Sequence, residues 1–152
     1  MSEMMITPDF NKVISIIESA RMRALKSVNA ELIRMYWEVG EYLSDLCTSS
    51  SFGEKIIDEM AAFIAENNPG IKGFNRRGLY RMRQFYEIYK DDQFVSPLVT
   101  QISWTNHLLI MSKSKTPEER RFYMELCIRE HYSKRELERQ LDSSYTETIY
   151  RS

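Results

Sequence analysis

The sequence predicts an all-α fold: a multi-helix domain containing a helix-turn-helix-like unit and led by a long N-terminal helix. Apolar residues recur in steps of three and four along most of the chain, which is the period of a helix that buries one face. Only five glycines and four prolines interrupt 152 residues, so long elements and few loops are expected. Strand-like alternation does not stand out. The one ambiguous stretch, "QFVSPLVTQIS", is open to a short hairpin or extended piece. Six or seven helices account for the rest, without an internal repeat.

The first helix is expected from about Pro8 to Leu46, on apolar positions Phe10, Ile14, Ile17, Leu25, Val28, Leu32, Met35, Val39, Leu43 and Leu46. Thr7 is its candidate N-cap and Pro8 suits a first helical position. Unbroken, it spans about 58 Å at 1.5 Å per residue, which exceeds a compact domain of this size. Either it breaks near Ser27-Val28-Asn29, or its first half projects and pairs with another chain. Arg21 and Arg23, beside Ala20 and Ala24, thin the apolar stripe there. The chain is therefore divided into a helical arm over 1–27, a candidate oligomerisation element, and a domain over 28–147. After the polar linker "TSSSFGEK", a second helix runs from about Gly53 to Glu66 with Ile56, Ile57, Met60, Phe63 and Ile64 on one side. "NNPGIKGF" stops it, and Asn75 caps a third helix reaching about Tyr89. A short apolar helix is expected over Ser103–Met111. Thr116-Pro117-Glu118-Glu119 reads as an N-cap, a first-turn proline and a capping box opening a helix to about His131. Ser133-Lys134-Arg135-Glu136 repeats the box and opens a last helix to about Leu141, before a frayed or truncated tail.

Bulk properties exclude several classes. No apolar run approaches the roughly 18 residues of a membrane span, so no membrane partner is expected. The N-terminus lacks the basic-then-apolar layout of a signal peptide. Cys47 and Cys127 fit neither metal spacing nor a disulfide framework and read as buried, inert thiols, which predicts a reducing, cytoplasmic setting. Neither a metal nor a cofactor is expected. There is no Gly-rich phosphate loop, no His-Glu-x-x-His, no nucleophile elbow and no acid-x-lysine pair of a metal-dependent nuclease, so the chain is not expected to be an enzyme. His107, beside an apolar helix, reads as a hydrogen-bonded packing residue, and His131 as a helix C-terminal residue favoured by the dipole. Tyr36, Trp37, Tyr42, Phe122 and Tyr123 read as core.

One stretch carries candidate chemistry. "GFNRRGLYRMRQFY" (Gly73–Tyr86) holds four arginines in a chain whose net charge is −1. Between Lys72 and Lys90 six basic residues face one acidic, so this segment carries +5 and the remainder −6. On a wheel, Leu79, Met82, Phe85, Tyr86 and Tyr89 share a core face. Arg76, Arg77, Tyr80, Gln84 and Glu87 oppose it, with Arg81 and Arg83 flanking. A helix after a tight turn, with its first residues outward, has the layout that reaches DNA. Arginine grips phosphate or guanine bidentately, glutamine pairs with adenine, and tyrosine stacks or contacts sugar. The candidate nucleic-acid residues are Lys72, Arg76, Arg77, Tyr80, Arg81, Arg83 and Gln84. Lys134, Arg135 and Arg139 form a weaker second set, because charge of mixed sign usually marks a solvated helix. A solvated or internally paired face is the competing reading of the first set as well.

Several stretches together carry a family resemblance: "YWEVGEYL" (Tyr36–Leu43), "FGEKIIDEMAAFI" (Phe52–Ile64) and "PGIKGFNRRGLYRMRQFYEIY" (Pro69–Tyr89). To these add "ISWTNHLLI" (Ile102–Ile110), "TPEERRFYMELCIREHYSKRELERQL" (Thr116–Leu141) and "DSSYTE" (Asp142–Glu147). From about Val28 to Glu147 the chain resembles the N-terminal domain of the bacterial YhcG-type proteins. That domain normally precedes a PD-(D/E)XK nuclease domain. The resemblance implies a helical, DNA-binding domain that targets a C-terminal nuclease rather than cutting, with residues 148–152 the truncated start of a linker. It assigns no contact residues, so those rest on the wheel. The expectation is thus a non-catalytic DNA-binding, substrate-recognition domain. The alternative is an oligomerisation or protein-docking module, a homodimer in the simplest case, and the two are compatible.

Overall fold

The computed structural model describes residues 8–49, 53 and 55–151, with side chains to residue 143. These residues form six α-helices and one 3-10 helix, and no strand is found among them.

Helix α1 (Phe10–Ser49) runs unbroken through Ser27-Val28-Asn29 for about 60 Å, so the alternative of a break is overturned and the first half projects. Asp9 starts it: its carboxylate accepts from the Asn11 amide at 3.0 Å and its carbonyl from the Lys12 amide at 3.1 Å. Pro8 precedes the helix, and Thr7 lies outside the described residues. Only the second half of α1 is covered, burying Ile33, Gly40, Leu43 and Ser44.

Helix α2 (Lys55–Asn67) lays Ile57, Met60, Ala61 and Ile64 on the domain. Phe63, expected on that side, is 62 % exposed, because the contact face of this short helix is narrower than its apolar arc. Helix α3 (Arg76–Tyr89) packs along α1 as the most extensive helix pair among the described residues. The 3-10 helix (Ser96–Gln101) occupies the stretch left open to a hairpin. There the Asp92 carboxylate accepts from the amides of Phe94 and Val95 and winds the chain into a turn, with Pro97 just inside the helix start.

Helices α4 (Trp104–Lys113), α5 (Pro117–Glu130) and α6 (Lys134–Arg151) close the bundle. Their caps are Ser103, Thr116 and Ser133, each hydroxyl accepting from the amide three residues on. Glu136 returns the bond to the Ser133 amide and completes the box. Glu119 reaches one residue further, to the Lys115 amide. His131 ends α5 at φ 54°, the left-handed conformation of a C-cap. Helix α6 continues well past the expected end at Leu141.

Two apolar clusters result. The larger joins Ile33, Phe85, Tyr89, Val95, Ile110, Met124 and Leu137; the smaller joins Leu43, Ile57, Leu79 and Met82. Helix α3 feeds both, which makes it the spine between them. Trp37 lies edge-on to Phe85 and Tyr86, and Tyr36 stacks on Trp104 at 4.4 Å. Tyr42 and Phe122, expected in the core, stay 59 % and 56 % exposed. Tyr42 projects away from the face that α1 turns to α3, and Phe122 lies outside Tyr123, which takes the buried place.

Candidate nucleic-acid interface

The local sequence sets the pose of α3 before any tertiary contact acts. Gly73 takes φ +86°, which costs little only for glycine, and folds its carbonyl over Gly78 so closely that a Cβ at Gly78 would collide with it. Asn75 then caps the helix, its side-chain oxygen accepting from the Gly78 amide at 2.8 Å. The two glycines and the asparagine together place Arg76 and Arg77 in the first turn. From there Leu79, Met82, Phe85 and Tyr89 point inward, all but fully buried. Tyr86, expected with them, is half-buried.

The first turn carries no acidic residue. Cations at the positive end of a helix dipole act against helix stability. The same end attracts anions, through both the dipole and its unpaired amides. Arg76 and Arg77 therefore concentrate positive charge where the backbone adds to it.

Arg76, Arg77 and Tyr80 line an open cleft of about 630 Å3 together with Asn75 and Ile57. Arg76 and Arg77 are exposed, and Tyr80 keeps 48 % of its surface. The Arg76 Nε donates to Asp58 at 2.8 Å across from α2, a pair exposed on both sides. Such a surface bridge is worth at most about 1 kcal/mol, so it orients the guanidinium without locking it away from a stronger anion. Sequence reasoning missed Asp58 and Ile57, because nothing in the linear order reveals that the start of α2 stands against the start of α3. Lys72 and Arg77 pair with no carboxylate among the described residues and are exposed at the turn and the helix start.

The remaining candidates divide. Arg81 and Gln84 are half-buried along the sides of α3 and do not line the cleft. Arg83 belongs to a tie between helices: its Nε donates to Glu87 at 2.7 Å, and Glu87 also accepts from the Ser44 hydroxyl of α1 at 2.9 Å. Partial burial pushes the Glu87 carboxyl up, but hydrogen bonds from Arg83 and Ser44 outweigh it and hold the group below the usual range. The Arg83 charge is thus engaged within the fold. Lys134, Arg135 and Arg139 are exposed on α6, a different helix that packs on α4.

Elsewhere, His107 is fully buried, its Nε2 lies 2.7 Å from the Val99 carbonyl, and its ring packs against Phe85. Burial drives its pKa down to about 4, so it sits in the core as a neutral packing group. Burial pushes the Cys127 thiol up to about 11. Cys47 is only half-buried, its thiol 3.6 Å from the Gly53 carbonyl. Among the described residues no three His, Cys, Asp or Glu side chains cluster to hold a metal ion, and no helix is long and apolar enough to cross a membrane.

The family model of the DUF1016 N-terminal domain matches residues 12–148. The chain belongs to this family. It is the family of N-terminal domains of YhcG-type proteins, so the resemblance carried by the six stretches holds. The DUF1016 match begins at residue 12 and so takes in most of the arm as well as the bundle. No curated protein and no solved structure matches the chain.

Proposed function

We propose that this DUF1016 N-terminal domain binds DNA on the first turn of α3 and serves as the substrate-recognition part of a nuclease-type protein, itself non-catalytic. The observation that carries the reading is the coincidence of Arg76, Arg77 and Tyr80 around one open cleft at the positive end of a rigid helix. Arginine and helix amides both suit phosphate, and the tyrosine face suits a sugar or an unpaired base. Lys72 and Arg81 extend the positive charge beyond the cleft. In a full-length protein the cut would fall to a C-terminal nuclease domain of the PD-(D/E)XK class, working in a bacterial cytoplasm on what this domain holds.

Replacing Arg76, Arg77 and Arg81 together with alanine tests the reading. DNA affinity falls, and the slope of log K against log salt becomes shallower by about 0.9 for each phosphate that the variant no longer neutralises. Gel shifts with duplex, single-stranded and branched DNA, and with RNA, identify which form is held. An unchanged salt slope in a folded triple variant would discard the assignment.

A further inference from the structure

The first half of α1 carries an apolar stripe that the domain does not cover. At 100° per residue, Phe10, Ile14, Ile17, Leu25, Val28 and Leu32 fall within an arc of about 80°. Each keeps 42–75 % of its surface exposed. Lys12, Ser19, Arg23 and Lys26 lie round the opposite side, so this half is amphipathic in its own right. Single exposed apolar residues are ordinary, but a row some 33 Å long, interrupted by Arg21 alone, is not.

The stripe overlaps the edge of the face that α1 turns to the domain, since Val39 and Leu43 fall within its arc and pack there. The buried residues Ile33, Gly40 and Ser44 lie further round the helix cylinder. In the first half the same arc stays exposed, with Leu25 at 68 % and Val28 at 56 %.

Charge selects the partner, a second copy, and its direction. Arg21 is the one charged residue within the stripe's arc, and Glu18 flanks it one turn earlier. Side by side in parallel, two copies would set Arg21 against Arg21. In antiparallel pairing centred between Ser19 and Ala20, Arg21 meets the second copy's Glu18, twice by symmetry. The same register sets Ile14 at the level of Leu25, both within the stripe. It also brings Phe10 to the level of Asn29, where a groove of about 400 Å3 opens beside Leu25, Ala30, Thr100, Ile128 and His131. Antiparallel helix dipoles favour the arrangement too.

We infer that two copies of this chain pair through the first half of α1, antiparallel, about a twofold axis between Ser19 and Ala20. The inference stands apart from the DNA reading, since its residues are not those of the cleft.

Sedimentation equilibrium of the 152-residue chain at micromolar concentrations tests it, with twice the chain mass expected. Ile14→Asp with Ile17→Asp yields a monomer of unchanged helix content, because both positions are exposed in the single chain. Glu18→Arg or Arg21→Glu alone weakens pairing about tenfold, and the two together restore it. Direction is read with Phe10→Cys in a C47S, C127A background. Antiparallel pairing holds the two sulfurs about 28 Å apart and gives no disulfide dimer on oxidation, whereas parallel pairing gives one. A chain that stays monomeric, a double-aspartate variant that still dimerises, charge reversals without effect or an efficient Phe10→Cys disulfide would each overturn the inference.

Discussion

The two halves of α1 have similar lengths and similar apolar content, yet only the second packs on the bundle. Residues 29–49 sit on the bundle, with Gly40 so close to α3 that a Cβ there would run into the Met82 carbonyl. Asn29 marks the change, its side-chain amide donating to the carbonyls of Thr100 and Ile102 at 3.1 and 3.0 Å. Before it, Phe10, Val13, Ile14, Ile16 and Ile17 are all about half exposed or more. Helical period is common to both halves. What separates them is whether a small residue or a polar clamp lets another element come close.

The largest effect should come from filling that close approach. Gly40→Val forces α1 and α3 apart and costs about 3 kcal/mol or more, read as a lower urea midpoint. If the midpoint barely moves, the two helices do not meet at Gly40 and the comparison fails. A pH series probes the core behind the anchored half. His107 has its pKa lowered by burial from 6.5 to about 4, so the unfolded chain binds the extra proton between those values. Its contribution is complete above pH 6.5 and is lost as pH falls toward 4, on the order of 3 kcal/mol in all. His107→Leu should flatten that slope in urea melts, while a slope that persists unchanged would place its origin elsewhere. Smaller still, Asn29→Ala orphans two backbone carbonyls and costs about 1–2 kcal/mol. Ile14→Ala, in the arm, should stay within about 0.5 kcal/mol at concentrations where the chain is monomeric. Equal losses at the two positions would erase the distinction between the halves.

Much of the bundle was legible because its signals are local. Thr116, Ser133 and Asn75 cap their helices where the side-chain chemistry says they should, and Arg76–Tyr89 begins and ends where its pattern does. The wheel separated Leu79 and Met82 from Arg76, Arg77 and Tyr80, and these lie inside and outside as expected. Local signals failed where a second element intervenes. Arg83 resembles its neighbouring arginines in sequence, but Glu87, itself held by the Ser44 hydroxyl, engages it. Phe63, Tyr42 and Phe122 have helical spacing yet remain more than half exposed.

Alone, the order of residues determined the helical class, the capped boundaries, the family and the concentration of positive charge at one helix start. Spacing, capping and charge act over a turn or two of chain, so they are written in neighbours. Tertiary structure decided that α1 does not break, that only its second half is covered, and that Arg76 stands against Asp58 while Arg77 faces outward. Those outcomes depend on which surfaces come within contact distance, and residues far apart in the chain meet only when the whole bundle has closed.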